Sequence, residues 1–369
     1  MNFAIGNINV AVLGESTIAE EFQKILELVE TKDSHVDLAF EFVEQLPEWS
    51  DGTYFSLDNY NIRENQFRVT EKLFCYELRL SEDPVRVLVA TKKTDIYRNI
   101  LATIRKSWKY FSAHGSRAHL RYLRRLVFYV YLPLVELALL KRRSSLAHCS
   151  AIEKGGHVVL FPAWGGVGKT SIMSRYIENG WKFLSDDLCV ISDNSTASIH
   201  PLPMHIYKYH EKQSKELVEK MLLQSDTLDR LLWQVMSRVK KPHKLVRWIK
   251  PDKVFGRDKV SDKGEITTVI HMHRHMQSDM FKLKKAEPDE VAKLMASTIL
   301  DEINNLVNIS LVINSCQPND FIPDVRHLHK RIIDIYSSAF VRAKCYIIDI
   351  PQRAMAEDVY SYIQDNRLV

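Results

Sequence analysis

Residues 163–170 read Ala-Trp-Gly-Gly-Val-Gly-Lys-Thr, and each residue type in this stretch suits contact with a chain of phosphates. Backbone N–H groups approach crowded anionic oxygens only where side chains are missing, which Gly165, Gly166 and Gly168 provide. Lys169 can extend a mobile cation to the outer phosphates, and Thr170 can offer a hydroxyl to Mg²⁺. A helix beginning there turns its positive dipole end toward the anion. Val167 and Ser171 complete the stretch expected to touch the nucleotide. The pattern is G-x-x-x-x-G-K-[ST] with Ala163 where the first glycine belongs, a change that reshapes the loop's entry. A glycine-rich turn before an amphipathic helix can be plain architecture, but Gly-Lys-Thr after an apolar strand favours phosphate contact.

Seventeen residues past Lys169 stands Asp186-Asp187, set between the apolar segments Phe183-Leu184 and Leu188-Cys189-Val190-Ile191. Two adjacent carboxylates in such surroundings are costly unless they meet a metal, a cation or solvent. Elsewhere Asp-Asp is usually a turn or a helix cap. One helix and one strand after a phosphate loop, one carboxylate can hold Mg²⁺ while the other accepts a hydroxyl proton. His148 lies on the apolar segment before the loop, where a lone histidine is more often a hydrogen-bonded core residue than a catalyst.

Three segments, Leu146-Ala147-His148-Cys149-Ser150-Ala151, Val158-Val159-Leu160-Phe161-Pro162 with the loop, and Trp181-Lys182-Phe183-Leu184-Ser185-Asp186-Asp187-Leu188, together resemble the catalytic domain of HPr kinase/phosphorylase. That family belongs to the phosphoenolpyruvate-carboxykinase type of P-loop fold. The resemblance is strongest over residues 130–195. It implies that Lys169 and Thr170 serve phosphates and Mg²⁺, that Asp186 is the general base and Asp187 a metal ligand, and that His148 lies close to the transferred phosphate. The family's Leu-Glu-[Ile/Val]-Arg-Gly segment is not found after Asp187, which points away from HPr as substrate and toward the divergent relatives that phosphorylate small molecules.

The elements around these residues fit that placement. Ala147–Ile152 and 157–161 read as strands joined by a Lys154-Gly155-Gly156 turn, residues 170–178 as a helix stopped by Asn179-Gly180, and Leu188–Ile191 as a further strand. Upstream, Ile8–Leu13 reads as a strand, Ile18–Val29 as a helix, residues 66–90 as a small sheet, and Ile96–Leu140 as largely helical. Downstream, 209–239 reads as polar helix and 240–263 as a basic, turn-rich loop. Thr267–Met272 and 343–350 read as strands, and 290–303 and 325–338 as helices. The expected class is α/β: a smaller N-terminal α/β region over 1–110, a helical connection over 111–145, and an HPr-kinase-like nucleotide-binding domain over 146–369, its mixed sheet flanked by helices.

Composition narrows the remaining classes. The formal charge is +5, from 51 Lys and Arg against 46 Asp and Glu. Basic stretches such as 117–125 and 240–253 carry apolar residues at packing intervals, so nucleic acid is not an expected partner. Aromatic residues beside basic ones at Trp108–Phe111 and Trp248 suit helix packing equally well. Five scattered cysteines form no C-x-x-C or zinc spacing and read as reduced thiols. The opening MNFAIGNINVAVLG is unlike a secretory signal, so a cytoplasmic protein is expected. Leu126–Leu140, shorter than a bilayer span and containing Pro133 and Glu136, reads as a buried helix. His271, His273 and His275 alternate as in a strand end. Lys244, Arg247, Lys253 and Arg257 are candidates for an extra cation beside a transferring phosphate. No Gly-x-Ser-x-Gly or His-Glu-x-x-His motif supports a hydrolase. The expected function is an ATP- and Mg²⁺-dependent kinase acting on a hydroxyl of a protein serine or small molecule, with a homo-oligomer allowed. The competing reading is a nucleotide-responsive regulatory module without transfer.

Overall fold

A computed structural model of the chain describes residues 1–49, 55–57, 59–63, 65–91, 120–275, 279–316 and 322–369. The expectations for residues 96–119, including the aromatic-basic stretch Trp108–Phe111, lie outside these. No helix among the described residues is long and apolar enough to cross a membrane. The architecture is mixed α/β, in two compact units. Among the described residues, one unit draws on 1–91, 120–142 and 303–328 and the other on 143–302 and 329–369.

The first unit is built on a nine-stranded sheet of β1 (Asn2–Ile5), β2 (Ile8–Leu13), β3 (Glu30–Thr31), β4 (Leu38–Val43), β5 (Phe55–Leu57), β6 (Tyr60–Arg63), β7 (Gln66–Thr70), β8 (Phe74–Arg79) and β9 (Val85–Thr91), in the order β3-β1-β2-β4-β9-β8-β7-β6-β5. Pairings of β2 with β4 and of β4 with β9 are parallel, and the other pairings are antiparallel. Helix α1 (Thr17–Leu26) starts where the Ser16 hydroxyl accepts the Ala19 amide at 3.1 Å. It buries Ala19, Phe22, Ile25 and Leu26, positions three and four apart that form one face. Phe22 meets Phe40 and Tyr131 edge-on at 5.7 and 5.3 Å, a centre of this core.

The apolar run before residue 140 is helical and largely buried, with Tyr129 exposed. Leu120–Leu126 passes through a π-helical turn, Val127–Tyr131, into α2 (Leu132–Lys141). The Leu132 amide donates five residues back to the Val127 carbonyl, directly before Pro133, which has no amide hydrogen to continue the regular ladder.

In the second unit, β10 (Ser144–Lys154), β11 (His157–Pro162), β12 (Lys182–Ser185), β13 (Leu188–Ser192), β14 (Thr196–Ile199), β17 (Lys263–His275), β18 (Lys282–Lys285) and β19 (Lys344–Pro351) form an eight-stranded mixed sheet. A separate pair joins β15 (Met204–Tyr207) to β16 (Val246–Ile249). The long strand β10 pairs antiparallel with β11, β12 and β13, and β17 runs parallel to both β11 and β19. Because β17 also pairs with β14, the hydrogen bonds of β10, β13, β14, β17 and β11 close into a ring.

Helix α3 (Lys169–Glu178) follows β11. Its Tyr176 stacks on Phe161 at 5.7 Å and meets Tyr360 of the late helix Ala356–Asp365 at 4.9 Å. Two segments differ from their expected form. Residues 209–239 are broken at Ser214 and Ser225 into the short helix His210–Gln213 and the longer Lys215–Gln224 and Thr227–Val239. Residues 240–263 hold a strand, β16, and a helical turn, Pro251–Phe255. The apolar residues of β16 are interleaved with Arg247 and flanked by lysines, which masks the strand's period in the sequence.

Candidate active site

Strand β10 sets the spacing of the site. Alternate residues of a strand point the same way, so His148 and Ser150 share one face, with Cys149 on the other. Each then meets a different arm of the site. His148 Nε2 lies 2.8 Å from Lys169 Nζ, and the Ser150 hydroxyl donates to Asp186 Oδ1 at 2.8 Å. Cys149 instead faces Cys189, sulfur to sulfur at 3.3 Å, and both thiols are free and buried.

The loop leaves β11 at Ala163, which bridges in parallel to Met272 of β17. Gly166 and Gly168 have φ of 81° and 105°, values that residues with a Cβ adopt only under strain. A Cβ on Gly165 or Gly166 would meet no atom within 4 Å, so that side of the loop is open, whereas one on Gly168 would lie 3.3 Å from Ala356 Cβ. Gly168 is the N-cap of α3, placing the free amides of the first helical turn at the loop. Val167 is buried, and its carbonyl accepts from Arg274 Nη2 at 3.3 Å. The same guanidinium donates through Nη1 to the carbonyls of Pro351, Gln352 and Ala354 at 3.0, 2.8 and 3.0 Å. Arg274 therefore ties the loop to the turn entering the last helix.

Lys169 is 5% exposed and spends its donors within the site, on His148 Nε2, the Ala163 carbonyl at 2.5 Å and the Trp164 carbonyl at 3.5 Å. Burial lowers its pKa, and the charges of Asp187 and Asp186 act the other way. The Thr170 hydroxyl donates to Asp186 Oδ1 at 3.0 Å, with Oδ2 at 3.3 Å. The buried Ser171 donates to Gln213 Oε1 at 3.2 Å.

Asp186-Asp187 forms the turn between β12 and β13. Asp187 sits at φ 68°, a left-handed conformation that aspartate tolerates better than most residues, and its carbonyl accepts the Cys149 amide at 3.0 Å. The two carboxylates have opposite surroundings. Asp186 is pushed up to about 7, by burial first and by the Asp187 charge second. For Asp187 burial acts upward but is outweighed by His205, whose Nδ1 lies 2.8 Å from Oδ2, so its pKa falls below the usual carboxylate range. The His205 ring packs on Trp248 at 5.1 Å, across the β15–β16 pair.

His148 is 8% exposed, and its pKa is lowered to about 4 by burial and then by the Lys169 charge. Its second nitrogen, Nδ1, lies 3.2 Å from Glu302 Oε1. Loop, His148, Lys169, Thr170, Asp186 and Asp187, all named from sequence, thus lie in one place. His205 and Glu302 were not named, since both come from distant segments that carry no motif; His205 alternates with Tyr207 on a short strand, the one signal it gave.

The other candidates lie within their own neighbourhoods. Arg247 is buried over the Trp233 ring at 5.5 Å, Arg257 pairs with Asp262 at 2.9 Å, Lys253 lies 3.9 Å from Asp252, and Lys244 ends a short 3₁₀ turn. His271 and His273 lie near the end of β17, which closes on His275, with ring centroids 4.5 Å apart. Among the described residues no group of three or more His, Cys, Asp or Glu side chains is gathered for a metal ion.

No family model matches the chain, and no curated protein matches it. Among solved structures, a match is the Hpr(Ser) kinase/phosphatase from Coxiella burnetii, at 11% identity and a TM-score of 0.28, over 61% of this chain and 97% of that one.

Proposed function

We propose that the second unit is an ATP- and Mg²⁺-dependent phosphotransferase acting on a hydroxyl group of a small molecule or a protein serine. The observation that carries this reading is the contact of Thr170 with Asp186 at 3.0 Å, directly after a glycine loop in which a Cβ on Gly165 or Gly166 would meet no atom within 4 Å. A hydroxyl and a carboxylate are hard oxygen donors of the kind Mg²⁺ takes, together with water and phosphate oxygens. The residues present therefore fit the group. When bound, Mg²⁺ would neutralise charge on the phosphates.

The chain's own residues divide the remaining work. The amides of Gly166 to Thr170 and the α3 dipole bind the phosphates. Lys169, held at His148 and at loop carbonyls, has a flexible stem that can redirect its ammonium to them. The resemblance implied the metal for Asp187 and the proton for Asp186; in this proposal the roles move. Asp186 already accepts from Thr170 and Ser150 and joins Thr170 in holding the cation. Asp187 holds His205 at the rim. His148, neutral at pH 7, is left to accept the proton of the attacking hydroxyl.

Calorimetry with Mg·ATP on the parent and on Lys169→Ala tests the site, combined with a screen for transfer of labelled γ-phosphate to a panel of hydroxyl compounds. Equal affinity in the two proteins rules the site out. A parent that binds but transfers to nothing, water included, and that Asp186→Asn matches, establishes the regulatory module instead.

A further inference from the structure

Lysine in its charged form has three donors and no acceptor. Its contact with His148 Nε2, beside two backbone carbonyls that also need donors, places a lone pair on Nε2 and the ring hydrogen on Nδ1. That Nδ1–H is buried. Glu302 Oε1 lies 3.2 Å from Nδ1, off the direct line of a hydrogen bond. Glu302 is the last residue of the helix Pro288–Glu302 and its side chain is 32% exposed, so the carboxylate has room to turn into line. Burial first and the Asp187 charge second raise the Glu302 pKa, while Lys169 opposes the rise.

We propose that Glu302 is a positioning residue that fixes His148 as the Nδ1–H tautomer, so that Nε2 remains a bare, oriented proton acceptor once Lys169 turns to a bound phosphate chain. The tautomer statement stands on geometry alone; its use in catalysis rests on the phosphotransferase reading. Free imidazole favours hydrogen on the other nitrogen, so without Lys169 something must hold the Nδ1–H form, and a carboxylate on Nδ1 does so. In the transfer step the acceptor's O–H bond breaks as its oxygen bonds to phosphorus. The bond from phosphorus to the departing diphosphate breaks, and the proton passes to Nε2. The resulting imidazolium then faces the Glu302 carboxylate, which stabilises it and orients the ring.

The test uses the full chain labelled with ¹⁵N-histidine, with His148→Gln to assign the signal. The nitrogen shifts of His148 report which ring atom carries hydrogen, without any substrate. In Lys169→Ala the geometry predicts that His148 stays Nδ1–H. Adding Glu302→Leu shifts it to mainly Nε2–H, and adding Glu302→Gln, whose amide oxygen can still accept, restores Nδ1–H. An Nε2–H signal in Lys169→Ala, or a Leu variant that leaves the tautomer unchanged, overturns the proposal, and the unchanged resonances of other histidines show that each variant is folded. In the transfer assay, Glu302→Leu lowers kcat about 100-fold with the nucleotide KM unchanged. A parent that transfers nothing while showing the predicted tautomers overturns the catalytic role and leaves the positioning intact.

Discussion

The Thr170 hydroxyl, in the first turn of α3, donates at 3.0 Å to Asp186 Oδ1, a carboxylate oxygen that also receives the Ser150 hydroxyl from β10. One buried carboxylate, in the turn between β12 and β13, thus joins the first turn of α3 to β10.

That junction has a pH signature. Asp186 is pushed up to about 7, by burial and then by Asp187, so between about pH 4 and about pH 7 the folded chain binds more protons at this residue than the unfolded chain does. Its contribution is full at the acidic end and is lost as pH rises through that window. We expect Asp186→Asn to gain stability relative to the parent as pH rises across it, in urea melts run with a chelator. A stability difference that is flat with pH would contradict this.

Gly168 offers a second test. Its φ of 105° and the 3.3 Å approach to Ala356 together predict that Gly168→Ala costs about 1–3 kcal/mol and weakens nucleotide binding. Ala356→Gly in the same chain should recover only the steric part, a partition a double-mutant cycle reads directly.

Arg274 links the Val167 carbonyl to those of Pro351, Gln352 and Ala354. Replacing it with Met leaves three part-buried acceptors, the carbonyls of Val167, Pro351 and Ala354, and the exposed Gln352 carbonyl without their shared donor, and should cost about 2–4 kcal/mol. Hydrogen exchange should rise together at residues 165–170 and 352–358. A rise confined to one of these segments would show that they are not coupled.

Tyr176 lies between Phe161 and Tyr360 and accepts from Gln364 at 2.8 Å. Tyr176→Phe should cost about 1 kcal/mol through the lost hydrogen bond, and Tyr176→Ala about 3–5 kcal/mol through the cavity it opens. Thermal melts of the two variants check both.

Local chemistry was legible in the sequence where residue types are constrained by the backbone itself. Gly166 and Gly168 take left-handed conformations, Lys169 opens the helix, and Asp186-Asp187 fills the turn between two apolar strands. His148 was legible through its place on a strand next to the loop. His205, Glu302 and Arg274 were not, since each acts across a separation that only the closed sheet establishes. Strand β16 was hidden for a related reason: among the described residues it pairs only with β15, and its sequence alternates Arg247 with apolar residues in a run of basic side chains.

Arg274 also imposes an order in time. Residues leave the ribosome from the N-terminus onward, yet the loop at 163–170 is anchored by Met272 and Arg274 and, through Arg274, by carbonyls as late as Ala354. The loop acquires this anchor only once Ala354, 184 residues beyond Thr170, has been joined. A nascent chain therefore carries the phosphate loop without the Arg274 clamp while the intervening residues are made.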